Sequence, residues 1–428
     1  MDKTVSTTPL FKNKSFTKMF LAYAISVYGD WFDMLAISIL VAYGWNSDPI
    51  LIGLIPVCFA LPGILFGSFA GVLADRSKKV NLMIISDWSS AVLTIFLVFA
   101  DHIYWVLPIL FIRSSLGLIS TPAEQALTRH IVPEDQLLKA TSYNQIVNNS
   151  GKIVGPLLGA LILTVLSPKI CILINAFSSL ISGIILLTLR KIKENSNAPK
   201  NEQGTEKLSF KDSWKEGWAF VLKTRVIFNS ILFSLIGIMC IQLVDFQFPV
   251  LLRSINMKDP MVFGLLLSTT GVGSIITITW MNRFKEIRYG WAIGGGMSLI
   301  GFGFAGVAFV TEEMSLLIPI FFALIVGFGN GIWMVSYNFA LQKESPKEMV
   351  GRVFGITNSV MSAVFIIAPV TGGILVHTFG AVQVIQTVGF VVGGIGIIGA
   401  ILEKWLWRKE ELLPSKIEVV SAKGKTSV

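Results

Sequence analysis

The feature that most constrains this chain is a succession of long apolar runs. A helix that crosses a membrane needs about 20 mostly apolar residues. Twelve such stretches follow one another, at about 16–43, 50–73, 81–100, 103–122, 142–166, 168–189, 226–250, 261–281, 289–310, 314–341, 353–377 and 379–402. Charged residues make up only 14% of the chain, against roughly 25% in soluble proteins, too few to cover a surface in water. The apolar residues come in blocks rather than in alternation, which excludes a porin-type barrel. The sequence therefore reads as an all-α polytopic membrane protein, and the runs are numbered here as spans 1 to 12.

An even number of spans puts both termini on one side. Thirty of the 35 Lys and Arg fall in the termini and in the loops that share their side, against three, Lys169, Arg253 and Lys258, in the opposite loops. Basic residues mark the cytoplasmic side, so both termini are expected there. The net charge of +9 is read as this orientation signal and not as a nucleic-acid footprint. The first run is too long for a signal peptide. Cys58, Cys171 and Cys240 lie inside apolar runs and read as packing residues.

Residues 191–215 are polar and form the longest connection, which predicts a bundle at 1–190, a cytoplasmic linker at 191–225, a second bundle at 226–402 and a tail at 403–428. The linker's end carries Trp214 and Trp218 on one helical face. It reads as a helix lying in the membrane interface or as a solvated extension of span 7. A shift of 213 residues superposes Pro133 on Pro346, Lys139 on Arg352, Pro156 on Pro369 and Gly159 on Gly372. A parallel repeat of six plus six spans predicts two six-helix bundles around an axis normal to the membrane, with a substrate site between them.

The loop after span 2 reads Gly71-Val-Leu-Ala-Asp75-Arg76-Ser-Lys78-Lys79. It resembles the cytoplasmic signature of the major facilitator superfamily. The resemblance implies that Asp75 locks the halves together at the cytoplasmic start of span 11, beside Arg352, with Gly71, Arg76 and Lys79 completing a gating loop. A topology role alone is the plainer reading. Span 5 carries Gly151, Gly155, Pro156 and Gly159, which resembles the family's exporter motif. Small residues at this spacing let helices pack closely, whereas Lys152 departs from the pattern. The start of span 1, Tyr28-Gly29-Asp30-Trp31-Phe32, is similar to the macrolide-efflux and enterobactin-exporter branch.

In that fold spans 1, 4, 7 and 10 line the cavity. Each carries a polar stripe at steps of three or four residues, which places its members on one helix face. These are Ser26, Asp30 and Asp33; Arg113, Gly117, Ser120 and Glu124; Gln242 and Asp245; and Asn330, Trp333 and Tyr337. Intramembrane charges usually face a cavity or a partner. Asp30 and Asp33 lie at a depth similar to Arg113, where either carboxylate can pair with it or take up a proton, and the three are the expected coupling residues. Asp245 reads as a gate residue nearer the outer end, and Asp87 as half of a structural pair with a loop cation.

There is no P-loop, and His102, His130 and His377 form no metal-binding spacing. No enzyme, cofactor or metal is expected. The resemblance implies a monomeric secondary transporter of a bacterial cytoplasmic membrane. It would exchange a proton, or another coupling ion, for a bulky amphiphile such as a macrolide, another drug or a siderophore. Its partners are that substrate, the ion and membrane lipids, with no nucleic acid. An importer or lipid transporter of the same fold, and a non-transporting scaffold or sensor, are the alternatives.

Overall fold

A computed structural model describes residues 9–408 apart from 164, 193–209, 258, 282, 285 and 347–348. It is helical throughout, with no strand among the described residues. The twelve transmembrane helices form two six-helix bundles, and eleven meet the length and composition for crossing a membrane within the described residues.

The first half contains Lys14–Ile39, Ile55–Arg76, Lys79–Phe99, Ile103–Gly117 continued by Ser120–Ile131, Leu137–Leu163 and Pro168–Leu187. The second contains Arg225–Asp245, Pro260–Met281, Gly295–Val307, Leu317–Glu344, Val350–Phe379 and Ala381–Ile401. Large apolar side chains such as Phe99, Phe69 and Ile401 stand exposed on the outside, the surface a lipid belt covers.

Sequence dictates the interruptions. Span 4 breaks at Leu118–Ile119. Pro122 has no N–H to give the Leu118 carbonyl, and its ring crowds that carbonyl, so the helix restarts at Ser120 and runs on to Ile131. Span 7 stops at Asp245, and a short helix, Phe248–Ser254, begins beyond the next turn with Pro249 in its first turn, where a missing N–H costs nothing. The linker helix Phe210–Lys223 is separated from span 7 by extended Thr224. Val221 is buried with Val353 and Ile356 of span 11, and Trp218 packs against the same cluster. Glu216 accepts a hydrogen bond from Arg352 at 2.6 Å. The helix is thus docked on the second bundle. The Trp214 side chain and residues 193–209 lie outside the described set.

The two halves share one packing plan. Spans 1, 3 and 6 pack together as do 7, 9 and 12, and span 5 lies on span 1 as span 11 lies on span 7. The repeated glycines sit at these last crossings. A Cβ on Gly159 would come within 2.9 Å of Leu35 on span 1, and one on Gly372 within 2.5 Å of the Leu243 carbonyl on span 7. Between the halves, span 2 meets span 11 and span 5 meets span 8.

Polar contacts from one half to the other gather at the end away from the termini. Gln247 donates to the Pro49 carbonyl at 3.0 Å. Arg253 donates to the Ala42 carbonyl at 2.6 Å, near the C-terminal end of span 1, where unpaired carbonyls and the helix dipole favour a cation. His377 meets Asp48 at 2.8 Å. Main chains touch there too: a Cβ on Gly53 would lie 2.5 Å from the Pro369 carbonyl, and one on Gly373 2.5 Å from that of Pro49. At the terminus-bearing end, Gly67 and Gly71 of span 2 and Gly355 of span 11 face open space. The halves are closed at the far end and diverge toward the termini.

Candidate functional site

The most deeply buried charges lie inside the first bundle. Asp30 is 16 residues into span 1, roughly 24 Å along it at about 1.5 Å per residue. Three residues on, Asp33 is fully buried and accepts a hydrogen bond from Arg113 Nη1 at 2.5 Å. Arg113 also donates to Thr94 of span 3 at 3.0 Å. Asp30 stays exposed to solvent at this depth, and Asn175 of span 6 donates to it at 3.4 Å. Gly29 makes this approach possible, since a Cβ there would lie 2.6 Å from Asn175 Oδ1. The neighbouring carboxylates thus differ: Asp33 is locked to a cation, and Asp30 is reachable.

Span 5 braces span 1. Tyr28 shares a hydrogen bond with Ser150 at 2.8 Å. The Trp31 side chain lies in the groove left by Gly151 and Gly155, where added Cβ atoms would sit 2.9 and 2.4 Å from it. The glycine row therefore packs span 5 onto span 1. The Pro156 and Lys152 side chains lie outside the described set.

A cavity of about 1230 Å³ opens inside the first bundle toward the terminus-bearing end. Its walls include Ser26, Ser120, Glu124, Asn148 and Asp87, and all its lining residues belong to the first half. Glu124 accepts hydrogen bonds from Asn144 at 2.6 Å and Thr128 at 3.3 Å. Ser26, Ser120 and Glu124 thus line a cavity within one bundle rather than the space between the two. Gly117 ends the first segment of span 4 and faces open space.

The stripe expected on span 10 points elsewhere. Trp333 donates to Ser234 of span 7 at 3.0 Å and stacks on Tyr337, and both are buried. Asn330 donates to Ser274 of span 8 at 3.3 Å. These residues tie the second bundle together in this conformation; helical spacing told which residues share a face but not which neighbour that face meets. Gln242 is buried, whereas Asp245 is exposed near the closed end and has no ion-pair partner among the described residues.

One further expectation is corrected. Asp87 does not pair with a loop cation among the described residues: it is 9% exposed and accepts from Ser182 of span 6 at 2.5 Å. In this conformation Gly71 makes no close helix contact, and Arg352 engages Glu216 of its own half. Arg76 is exposed, Lys79 lines the cavity mouth, and the Asp75 side chain lies outside the described set.

Asn175 and Ser182 were not singled out from sequence. The available signal was the row Asn175, Ser179 and Ser182, which falls on one face of a largely apolar helix.

Two repeated six-helix bundles, closed against each other at one end and with buried charge inside the first, define the fold of a membrane transporter. The chain belongs to the Major Facilitator Superfamily, whose sequence model matches residues 19–369. It is 28% identical over 401 residues to an uncharacterized MFS-type transporter, YfiS, of Bacillus subtilis, covering 92% of this chain and 95% of that one. It is 26% identical over 313 residues to macrolide efflux protein A of Enterococcus faecalis, covering 71% and 94%. Among solved structures it resembles a bacterial homologue of the human lysosomal transporter Spinster, inward-facing and unoccupied, with a TM-score of 0.71 at 12% identity and 94% and 98% coverage. It also resembles the nucleoside transporter NupG, with a TM-score of 0.63 at 15% identity and 94% and 100% coverage. At these identities the structures support the fold alone.

Proposed function

We propose that the protein exports bulky amphiphilic molecules, of the macrolide or multidrug kind, in exchange for protons. The observation that carries this reading is the division of labour on span 1, where Asp33 is held by Arg113 while Asp30 stays open to solvent beside Asn175. Intramembrane carboxylates of this kind serve proton relays. The macrolide efflux relatives and the span 5 glycine row support export. By the basic-residue bias the termini are cytoplasmic, so this conformation is open inward, ready to receive substrate and release a proton to the cytoplasm. The protein sits in the cytoplasmic membrane with its linker helix docked inside. In the outward-open state Asp75 closes the cytoplasmic end against the start of span 11.

The test is transport in proteoliposomes with erythromycin, ethidium and a catechol siderophore, under an imposed pH gradient and under a sodium gradient. Accumulation driven by the pH gradient alone is expected for at least one amphiphile. Accumulation driven only by sodium, or none in the exporting direction, would overturn the proposal.

A further inference from the structure

Asp87 is an intramembrane carboxylate for which the ion pair on span 1 has no use. Its surroundings give it one. Span 6 presents Asn175, Ser179 and Ser182 on one face, each no more than 1% exposed. Seven residues separate the first from the last, which is about 10.5 Å along a helix. Asn175 reaches Asp30, and Ser182 reaches Asp87. Span 3 repeats the spacing in the opposite direction, with Thr94 on Arg113 and Asp87 seven residues away. Two polar rungs therefore lie inside the first bundle. The deep rung holds Asp30, Asp33 and Arg113. The other holds Asp87 and Ser182, and both line the cavity that opens toward the termini. Gly183 lets span 6 lie against Trp88 of span 3 at this level, since a Cβ there would come within 2.3 Å of the indole.

The other titratable groups that line the same cavity are Tyr23 from span 1, Lys79 from the start of Asp87's own helix, and Glu124, Arg129 and His130 from the span 4 extension. No Lys or Arg lies within ion-pair distance of Asp87 among the described residues. Serines between helices often serve close packing alone. A carboxylate set among them, without a cation and at a cavity wall, goes beyond that purpose.

We infer that Asp87 carries the coupling proton between the Asp30–Asp33–Arg113 cluster and water at the terminus-bearing end, through the cavity inside the first bundle rather than through the space between the bundles. The step moves one proton and no electrons. The proton leaves the carboxyl group of Asp30, is relayed by water past Ser179 across the roughly 10.5 Å between the rungs, is taken up by the carboxylate of Asp87, and passes from there to cavity water, leaving both carboxylates ready for the next cycle. Proton and substrate then use separate openings at the same face. The inference rests on the proton-coupled reading above.

Two measurements on the full-length chain in liposomes test it. Infrared pH-difference spectra need no substrate. The wild type is expected to show a protonated-carboxyl band that titrates, that is lost in Asp87→Asn, and that persists at a shifted position in Ser182→Ala. Asp87→Asn keeps an acceptor for Ser182, and Asp87→Glu restores an acid if the asparagine variant folds poorly. In the transport assay, Asp87→Asn is expected to lose pH-driven accumulation of erythromycin or ethidium to the level of empty liposomes while substrate exchange without a gradient continues; Asp87→Glu should recover part of the driven transport. If the titrating band is unchanged in Asp87→Asn, the inference is wrong, whatever is transported. If the wild type shows no pH-driven transport but the band behaves as expected, the export reading fails and the proton-exchanging role of Asp87 stands.

Discussion

His377 at the end of span 11 holds Asp48 at the head of span 2, Nδ1 to Oδ2 at 2.8 Å, across the boundary between the two halves. Asp48 also caps the short helix Pro49–Gly53 by accepting from the Ile50 N–H at 2.8 Å. Both side chains are substantially exposed, and exposed pairs are worth about 0.2–1 kcal/mol. His377→Gln should therefore open the far end by up to roughly five-fold in population. Spin-label distances across that end, in the wild type and in His377→Gln, measure the effect. An unchanged distribution in His377→Gln would remove the histidine from the gate.

Arg113 and Asp33 should behave as one unit. Removing the guanidinium strands a buried carboxylate, a loss of about 3–5 kcal/mol. Arg113→Ala should express poorly, and Arg113→Ala with Asp33→Asn should recover folded protein. Arg113→Ala with Asp30→Asn should not, because Asp30 is paired with Asn175 instead. Thermal unfolding of the single and double variants decides. Equal rescue by both partners would contradict the geometry.

The seat of Trp31 leaves no room for a methyl group. Gly155→Ala places a Cβ 2.4 Å from the Trp31 side chain, and overpacking of this kind costs about 1–3 kcal/mol. The melting temperature should fall, and Trp31→Ala should relieve most of the strain added by Gly155→Ala. Additive losses in the double variant would show that span 1 and span 5 do not share that groove.

Asp30→Asn should leave the fold intact, because asparagine can still meet Asn175, while it abolishes pH-driven transport. Substrate binding by the detergent-solubilised variant should remain measurable. Retained accumulation against a pH gradient would move the coupling site away from span 1.

The twelve spans were legible because lipid imposes one rule on every crossing segment, a run of apolar residues long enough to span it. Span 4 ran further than its apolar stretch, since Ser120–Ile131 continues as a polar helix inside the bundle, where cavity water rather than lipid is the solvent. The pairing of Arg113 with a span 1 carboxylate was foreseeable, as a lone intramembrane cation needs a partner. The choice of Asp33 over Asp30 was not, because it depends on how closely Gly29 lets span 6 approach. The place of the Trp333–Tyr337 pair was not legible for a related reason: aromatic rings with polar tips suit a cavity wall and an interhelical seam equally well, and in this conformation Trp333 donates to Ser234 in the seam. Asp87 was misjudged because its partner, Ser182, carries no charge to reveal it.

The contact of Gly53 and Gly373 with the carbonyls of Pro369 and Pro49 has a thermodynamic consequence. This part of the closure is made of backbone and of two absent methyl groups, so neither ionic strength nor protonation weakens it. Losing the His377–Asp48 pair shifts the balance of that end but leaves this backbone contact in place. The remaining work of opening is set by how much more tightly a bound molecule holds the other arrangement. The selectivity of the transporter and the ease with which it turns over are thereby fixed in the same place, among the groups that meet what it carries, while this backbone part of the seal stays indifferent to it.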